Sequence, residues 1–417
     1  MTRPDTLNVF LNDERVGTIH DASPIAFEYE SAWLARAEKL GVSTIPLQTG
    51  RNDSAAVQAC FENLLPEGEL RNYLVERKKA STLFAMLFEI AGDTAGGFTI
   101  LPGGQVPEAP VYEATSWACL ATRLRETSAA AIDIKGSNAR ISLAGAQDKT
   151  SLTIFADGVP RIPAGTAPST HILKPDIRRL SKVWHSAANE TIILLTAAQC
   201  GLPAPEVFYE PHTGSCMVQR FDRIMRADGS LGRLIQYDLC QLAGIVSERK
   251  YEKEGGPGIA ACAALIRQYS GQPAVDLRNF VAWIIFNLYT GNNDSHAKNL
   301  SIIHIPGDGT RLAPFYDLMC TRLYPGLSQE FAFAIGGETA PGSITHQHVA
   351  AMAEELNMRP AFVIGQANAL AKKLPAALDA AIGAVRPSLS PGAKTLAKRL
   401  KDFVLSTTAK TAARIAG

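Results

Sequence analysis

The sequence lacks several features that would place a protein in a special class at once. Among its 417 residues, Lys and Arg number 41 and Asp and Glu number 40, so the formal net charge is +1. Without an excess of one sign, the chain has neither the global basic field of a nucleic-acid-binding protein nor the acidic surplus of a disordered one. Any site for a charged partner must therefore be local.

Cysteines and long apolar runs are also scarce. The seven cysteines are scattered and never form a Cys-x-x-Cys pair, which argues against a disulfide framework and against a zinc cluster. The strongest apolar stretch, residues 280–289, is too short to span a bilayer, and the first 20 residues lack the apolar run of a signal peptide. We therefore expect a cytoplasmic protein, with roughly two or three domains for this length.

The first third of the chain predicts an α+β unit. Two short β-branched runs in the first 20 residues flank the turn-prone Asn12-Asp13 pair and predict a hairpin. Residues 31–91 carry apolar side chains at helical spacing, with Ser31 and Ser81 as predicted N-caps. The segment 101–111 is rich in Pro and Gly, which predicts a domain break near 101–130.

The character of the pattern changes further along the chain. Between 140 and 222, short strand-like runs alternate with one helix, predicted from about Val183 to Cys200. After 240, long Ala- and Leu-rich helical patterns dominate. The last 31 residues carry six Lys or Arg against one Asp, which indicates a solvated helix face more readily than a DNA contact. We predict three domains, at 1–110, 130–235 and 236–417.

The most informative motif is GNNDSHAKN at 291–299, a polar stretch directly after an apolar helix. Asp294 and Asn299 are five residues apart, which is the separation of catalytic base and metal ligand in the protein-kinase catalytic loop. There an aspartate accepts the proton of the substrate hydroxyl, and an asparagine oxygen binds Mg²⁺. Taken alone, the same residues are equally typical of ordinary turn and helix-capping chemistry.

A second acidic residue, Asp317, follows this motif along the chain. The stretch RLAPFYDLMC at 311–320 places Asp317 shortly after the loop, as kinases place the metal-binding Asp of their Asp-Phe-Gly motif. Here the aromatic residue precedes the acid. Taken alone, Asp317 is more simply an acid in a strand turn, but its position after Asp294 and Asn299 favours a metal ligand.

Phosphoryl transfer also needs a cation on the phosphates and an acid that holds that cation. The run THILKP supplies Lys174 at a predicted strand end, and Glu190 lies sixteen residues later inside the predicted helix. A lysine at a strand end is usually solvated. The ordered set of strand Lys, helix Glu, loop Asp and Asn, and metal Asp is much harder to obtain by chance.

The stretch ARISLAGAQDKTSL at 139–152 offers a flexible loop for phosphate oxygens. Gly145 would free the backbone, the amides of 144–148 could surround a phosphate, and Lys149 adds positive charge. The stretch matches neither a Walker A loop nor a kinase glycine loop. By its pattern alone it predicts only a turn containing glycine.

Together these motifs resemble the HipA family, the serine/threonine kinase toxins of HipBA toxin-antitoxin modules. The resemblance covers nearly the whole chain and follows the family's order. The N-terminal region is represented by FENLLPEGELR and GDTAGGFTILP, and the core by RISLAGAQDKTSL, THILKP, Asn189-Glu190, QRFDR, QYDLCQ, YEKEGGPGI, NNDSHAKN and PFYD.

The resemblance implies an α+β, two-lobed, protein-kinase-like fold with an extra N-terminal subdomain and a mainly helical C-terminal lobe. It also implies ATP and Mg²⁺ as cofactors, Asp294 as the catalytic base, Glu190 as the residue that orients Lys174, and Asn299 and Asp317 as the metal ligands. The implied ATP contacts are Ala144, Gly145, Ala146, Gln147, Asp148, Lys149, Lys174, Tyr237, Asp238, Leu239, His296, Ala297, Lys298, Asn299, Tyr316 and Asp317. In this scheme Tyr237 to Leu239 form a hinge that meets adenine through backbone groups.

The resemblance further implies regulation. Ser142 matches the family's self-phosphorylated serine, and a phosphate there would add roughly two negative charges beside the phosphate loop. The implied partners are a HipB-like helix-turn-helix antitoxin, operator DNA reached mainly through that antitoxin, and a protein substrate, for which an aminoacyl-tRNA synthetase is the expected class. Two alternatives stay open, namely a non-catalytic co-repressor bound to the antitoxin and a small-molecule phosphotransferase.

Overall fold

The computed structural model describes residues 4–38, 40–90, 92–126, 141–142 and 147–417. Its strands are short and are numbered in chain order: β1 Thr6–Leu11, β2 Glu14–His20, β3 Ala26–Tyr29, β4 Arg51–Asn52, β5 Asp93–Thr94, β6 Phe98–Pro102, β7 Val111–Ala114, β8 Ile141–Ser142, β9 Thr150–Ile154, β10 Pro160–Ala164, β11 His171–Lys174, β12 Val207–Glu210, β13 Ser215–Gln219, β14 Arg223–Met225, β15 Leu231–Arg233, β16 Gln236–Asp238, β17 Ser301–Ile305 and β18 Gly309–Leu312.

The longest helices lie in the second half of the chain. The α-helices are α1 Ser31–Leu34, α2 Ala55–Glu62, α3 Gly68–Lys78, α4 Leu83–Ile90, α5 Trp117–Glu126, α6 Ser186–Gln199, α7 Leu239–Ala243, α8 Ile259–Tyr269, α9 Pro273–Thr290, α10 His346–Glu355, α11 Pro360–Val385 and α12 Pro391–Ala416. Short 3-10 helices cover Ser247–Arg249, Glu252–Glu254, Ala297–Asn299, Thr321–Leu323 and Arg386–Ser388.

The contacts within the chain divide it into two units. The first comprises residues 1–174, 219–248 and 303–308, and the second comprises 175–218, 249–302 and 309–417. The domain limits expected from the sequence stay a prediction. Among the described residues, no helix combines the length and the apolarity that crossing a bilayer requires.

The first unit contains the predicted N-terminal hairpin. β1 and β2 pair antiparallel, and Asn12 in the turn between them adopts a left-handed φ of 55°, which Asn tolerates better than most residues. The hairpin forms the middle of a five-stranded sheet in the order β4-β3-β2-β1-β6. Most residues of β1, β3 and β6 are buried, and the helices α2 and α4, which lie between β4 and β6 in the sequence, also contribute to the core of this unit.

The first unit also contains the strands that bear the predicted phosphate-binding residues. β9 pairs antiparallel with β10 and with β11, and β10 pairs in turn with β7. Lys174 is the last residue of β11. β5 pairs in parallel with β8, so that the backbone of Ser142 lies opposite Thr94.

The second unit is mainly helical. α6 packs against α11 and α12, and α9 packs against α8, α11 and α12. The side chain of Trp283 on α9 stacks on Phe280 and contacts Phe315 and Phe333. These aromatic side chains are all buried, so α9 is fixed in the core of the unit.

Three local expectations are wrong in detail. Ser31 is the first residue of α1 and not its cap, and α1 is only four residues long. Thr82, not Ser81, caps the fourth helix, since its Oγ1 accepts a hydrogen bond from the amide of Ala85. α6 begins at Ser186 instead of Val183 because His185 is left-handed, with φ 53°, and such a residue interrupts a right-handed helix.

Candidate active site

The candidate active site of the second unit begins where α9 ends. Gly291 follows this helix with a left-handed φ of 74°, which closes the helix as a glycine cap. A Cβ atom at Gly291 would lie 2.9 Å from the ring of Phe403. The chain therefore leaves the helix through a turn that only glycine fits, and the polar residues 291–299, here called the Asp294 loop, follow at once.

Buried asparagines hold the Asp294 loop in place. The side chain of Asn292 donates to Asn287 Oδ1 over 2.9 Å. The amide of Asn293 donates to Thr321 Oγ1 over 2.8 Å, and its side chain donates to the carbonyl of Ser328 over 3.1 Å. Because these buried side-chain and backbone donors have specific acceptors, the start of the loop has one defined course.

Asp294 and Asn299 come together as the kinase-like spacing predicts. The Nδ2 of Asn299 donates to the backbone carbonyl of Asp294 over 3.0 Å. Asn299 is buried, whereas 53% of the Asp294 side chain is exposed. The loop thus exposes the Asp294 carboxylate to solvent and orients the Asn299 side chain beside it, whose Oδ1 can coordinate a cation.

Asp317 lies in an irregular segment after β18, which ends at Leu312, so no strand delivers it directly. Its φ is 59°, a left-handed conformation that is uncommon outside glycine and that concentrates at functional sites. The preceding Tyr316 donates its hydroxyl to the carbonyl of Lys298 over 2.9 Å. This hydrogen bond ties the segment that carries Asp317 to the Asp294 loop.

Helix α6 fixes the other end of that segment. The side chain of Asn189 accepts from the amide of Cys320 over 2.9 Å and donates to the carbonyl of the same residue over 3.0 Å. It also donates to the Tyr324 hydroxyl over 3.0 Å. The segment that carries Asp317 is thus held at Tyr316 on one side and, on the other, at the Cys320 backbone, which is hydrogen-bonded to Asn189.

His296 lies buried within the Asp294 loop, and among the described residues its Nδ1 has no hydrogen-bond partner. Burial, together with the nearby cations of Lys250 and Lys298, lowers the pKa of His296 to about 3, although the Asp317 carboxylate acts in the opposite direction. The imidazole is therefore neutral at ordinary pH. Ala297 and Lys298 follow it in a buried 3-10 turn.

The donor set fits a magnesium ion better than a transition metal. Within the described ranges, no group of three or more His, Cys, Asp or Glu side chains is arranged to hold a metal. One carboxylate (Asp317) and one amide oxygen (Asn299) are the sparse, hard ligands that Mg²⁺ takes when phosphates and water complete its shell. The residues present therefore fit the cation that the sequence predicts.

Sequence reasoning missed Tyr251. Its hydroxyl donates to Asp294 Oδ1 over 2.5 Å, across 43 positions of sequence. Its ring meets His296 edge to face, with centroids 5.0 Å apart. The sequence marks this region only by the glycine-rich motif YEKEGGPGI, whose pattern does not indicate a contact with Asp294.

The described part of the predicted phosphate loop, residues 147–149, belongs to the first unit. Ala144, Gly145 and Ala146 lie outside the described residues, while Gln147, Asp148 and Lys149 are half-buried just before β9. Lys174 is buried at the end of β11. Glu190 is buried on α6 in the second unit, and its pairing with Lys174 stays a prediction.

The predicted hinge is well ordered by hydrogen bonds. Tyr237 is buried, and its hydroxyl donates to the carbonyl of Gly41 over 2.9 Å. Asp238 caps α7: its carboxylate accepts from the amide of Gln241, and its own amide donates to Gln241 Oε1 over 2.9 Å. This capping box occupies the Asp238 amide. Contact of residues 237–239 with adenine stays a prediction.

A second feature that sequence reasoning missed is a buried ionic cluster of the first unit, here called the Asp93 cluster. It comprises Asp93, Asp222, Arg220, Arg223 and Arg233, whose side chains are all at most 6% exposed. Burial alone would raise the pKa of Asp93, but the three guanidinium groups lower it well below its usual range. The motifs GDTAGGFTILP and QRFDR, which supply most of these residues, thus have a structural role in this unit.

Family models match most of the chain. A model described as the HipA N-terminal domain matches residues 7–101, and one described as the HipA-like C-terminal domain matches residues 141–380. The second match alone covers more than half of the 417 residues.

Individual relatives agree with these matches. "Putative kinase Y4mE" of Sinorhizobium fredii (strain NBRC 101917 / NGR234) is 34% identical over 350 residues, which are 79% of this chain and 80% of the relative. "Serine/threonine-protein kinase toxin HipA" of Shewanella oneidensis MR-1 is 30% identical over 395 residues, which are 89% of this chain and 88% of the relative.

A solved structure shares the fold. The chain aligns with a structure described as the Shewanella oneidensis MR-1 toxin-antitoxin system HipA, HipB and its operator DNA complex, with a TM-score of 0.84, 26% identity and 98% coverage of both chains. The predicted α+β fold class, with a mainly helical C-terminal region, is confirmed. On the strength of the family models and these relatives, the chain belongs to the HipA family.

Proposed function

We propose that this chain is an ATP-dependent protein serine/threonine kinase that acts as the toxin of a HipBA-type toxin-antitoxin system. The observation that carries the proposal is the Asp294 loop, in which Asn299 donates to the backbone of Asp294 while the Asp294 carboxylate faces solvent. A kinase needs this arrangement because a base must meet the acceptor hydroxyl close to the metal ligand. The named relatives support the same activity.

In this proposal each residue has a limited task. Asp294 accepts the proton of a serine or threonine hydroxyl, and Asn299 and Asp317 hold Mg²⁺. Bound MgATP supplies the phosphoryl group. The ATP contacts predicted from the sequence complete the scheme: the loop from 144 to 149, Lys174 with Glu190 as its orienting acid, the backbone of 237–239, His296, Ala297, Lys298 and Tyr316.

We also propose that Ser142 is an autophosphorylation site. Its backbone pairs with β5, directly before the predicted phosphate loop. A phosphate there would place about two negative charges beside amides and a lysine that serve ATP, and would weaken nucleotide binding. Self-phosphorylation would therefore switch the kinase off.

The partner proposal follows the Shewanella oneidensis structure, which is described as a complex of HipA, HipB and operator DNA. We propose a HipB-like helix-turn-helix antitoxin for this chain, with DNA bound mainly through that antitoxin. The near-neutral net charge of the chain is consistent with this division, since a strong DNA binder usually carries a basic excess. The proposed substrate is an aminoacyl-tRNA synthetase, whose phosphorylation would arrest translation and growth.

The test incubates the purified chain with Mg²⁺ and γ-labelled ATP, with and without cell extract. We expect label on Ser142 and on one protein of the extract. Both signals should be lost when EDTA removes the metal, and both should fall far below the wild-type level when Asp294→Asn replaces the base. Asp402→Asn, on the exposed face of α12, serves as the matched control and should keep the activity. The variant Ser142→Ala should lose only its own label.

Other outcomes would overturn the proposal. If no protein is labelled while a complex with the antitoxin binds operator DNA tightly, the chain is a non-catalytic co-repressor. If label appears only on small molecules of the extract, the chain is a small-molecule phosphotransferase.

A further inference from the structure

The glycine-rich motif at 249–258, here called the Tyr251 loop, folds into a tight structure in the second unit. The amides of Glu254 and Gly256 both donate to the carbonyl of Tyr251, over 3.0 and 2.9 Å. A Cβ atom at Gly256 would lie 2.4 Å from the carbonyl oxygen of Arg249 and 2.8 Å from the carbonyl carbon of Lys250. Only glycine therefore allows the loop to fold back on itself around Tyr251.

Glu252 anchors the Tyr251 loop to the rest of the unit. Its Oε2 accepts a hydrogen bond from the amide of Ala334 over 2.7 Å. A Cβ atom at Gly258 would lie 2.4 Å from Oε1 of the same carboxylate, so this glycine makes room for the anchor. The position of Tyr251 is thus set by a closed backbone turn on one side and an anchored carboxylate on the other.

The anchored loop places Tyr251 on the side chain of Asp294. The hydroxyl donates to Asp294 Oδ1 over 2.5 Å, a short distance typical of a hydrogen bond to a carboxylate. Two further contacts hold the ring: His296 packs against it edge to face, and the Nζ of Lys250 lies 5.6 Å from its centroid. These contacts fix the ring, so the Tyr251 hydroxyl has a defined position at the Asp294 carboxylate.

Asp294 needs such support because its side chain is half exposed. Two hydrogen bonds fix the Asp294 backbone: Asn299 donates to the Asp294 carbonyl, and the Asp294 amide donates to Asn292 Oδ1. The side-chain angles χ1 and χ2 of Asp294 depend on other contacts. A carboxylate must be within hydrogen-bond reach of the hydroxyl it deprotonates, and an unsupported one would spend time in unproductive rotamers.

We propose that Tyr251 is a positioning residue for phosphoryl transfer, which holds the carboxylate of Asp294 in the rotamer that receives the proton of the acceptor hydroxyl. This inference rests on the proposed kinase function and assigns a role to the Tyr251 loop. Tyr251 acts through Asp294 and neither transfers phosphate nor contacts it. The glycines of the motif serve the same end, since they shape the turn that carries the ring.

The test is a double-mutant cycle on the full-length chain. Phosphate transfer from γ-labelled ATP to protein is measured for the wild type, Tyr251→Phe, Asp294→Asn and the double variant. Single turnovers at saturating MgATP give the transfer rate, and a titration of MgATP gives the KM. Tyr209→Phe, which removes a hydroxyl from β12 of the same unit, is the matched control. Circular dichroism and thermal melting of each variant check that the fold is kept.

We expect Tyr251→Phe to slow transfer about tenfold, as the loss of a hydrogen bond to a charged group implies. The KM for ATP should stay at its wild-type value. In the Asp294→Asn background the same change should have no further effect, because residues that act as a unit are not additive. Tyr209→Phe should match the wild type.

Two results would overturn the inference. One is a wild-type transfer rate in Tyr251→Phe. The other is a tenfold loss that persists unchanged in the Asp294→Asn background or that appears as a raised KM for ATP, because either would assign Tyr251 to general structure or to nucleotide binding. A wild-type chain that labels no protein contradicts the kinase proposal itself, and so the two failures are distinguishable.

Discussion

Two aspartates, one in each unit, show opposite uses of the same side chain. Asp93 of the first unit is fully buried and bonded to three arginines and to Ser169. Asp294 of the second unit keeps half of its side chain in solvent and accepts a hydrogen bond from Tyr251. The first carboxylate is enclosed by its charged partners, whereas the second is accessible to solvent.

The contrast teaches that a charged motif can indicate structure as easily as function. The Asp93 cluster holds three arginines and two aspartates, an excess of one positive charge among buried groups. Such a cluster links β5 to the segment after β13, and breaking it leaves charges uncompensated in the core. In the Asp294 loop, the buried asparagines form hydrogen bonds that fix the backbone, and the Asp294 carboxylate stays accessible to solvent.

The sharpest way to test the comparison is to neutralise each carboxylate in turn. Asp294→Asn should lower phosphate transfer by about 10³- to 10⁴-fold, or about 4–5.5 kcal/mol of transition-state stabilisation, since a general base is lost. The midpoint of urea unfolding should stay within error of the wild type. A variant that loses stability instead would place Asp294 with Asp93 as a structural residue.

The reciprocal change, Asp93→Asn, should destabilise the first unit by about 3–5 kcal/mol, because it leaves buried guanidinium groups without a partner charge. Urea unfolding combined with peptide-resolved hydrogen exchange would locate the loss. Asp157→Asn, which breaks an exposed pair with Arg161 on the same unit, is the control and should not shift the midpoint. Equal effects of the two changes would contradict the structural role of the Asp93 cluster.

A glycine substitution tests how the second unit supports its carboxylate. Gly256→Ala should lower transfer about tenfold, because the added Cβ atom would displace the backbone that carries Tyr251. Gly342→Ala is the matched control, since a Cβ atom there would meet nothing within 4 Å. If both variants transfer phosphate at the wild-type rate, the turn at Gly256 does not set the position of Tyr251.

The prediction with the smallest effect near neutral pH concerns the pH dependence of the first unit. Burial lowers the pKa of His171 on β11 to about 4. As the pH falls, the folded state therefore takes up this proton at a lower pH than the unfolded state does. The contribution of neutral His171 to the free energy of unfolding is complete above about pH 6.5. It is lost as the pH falls from about 6.5 to 4, and it changes no further below about pH 4. His171→Gln should flatten this part of the stability profile in urea titrations, and an unchanged slope would contradict the prediction.

The candidate site was largely predictable where the chemistry is local in sequence. The contact between Asn299 and Asp294 joins residues five positions apart, a spacing that can be recognised directly. Asp317 is a candidate ligand from the sequence because it follows that loop closely, and this role stays a prediction. The strand expected to deliver it ends at Leu312 instead, and a left-handed residue takes its place, which no hydropathy pattern indicates.

The rest of the site depends on contacts between distant segments. Tyr251 reaches Asp294 across 43 positions, and Arg220 reaches Asp93 across 127. Nothing in the spacing of these residues marks them as partners. The helix α6 shows the same limit on a small scale, because its first turn is decided by a left-handed His185 and not by the apolar pattern.

The sequence by itself determined the class of fold, the N-terminal hairpin, the helical second half and the acid-amide pair of the Asp294 loop, because each arises from short-range patterns or from spacing within one segment. Only the tertiary structure decided that Asp93 is a buried partner of arginines and that Asp294 is an exposed carboxylate held by Tyr251. The physical reason is that burial and hydrogen bonding are set by which distant segments pack together, and an aspartate reads the same in sequence whichever environment surrounds it.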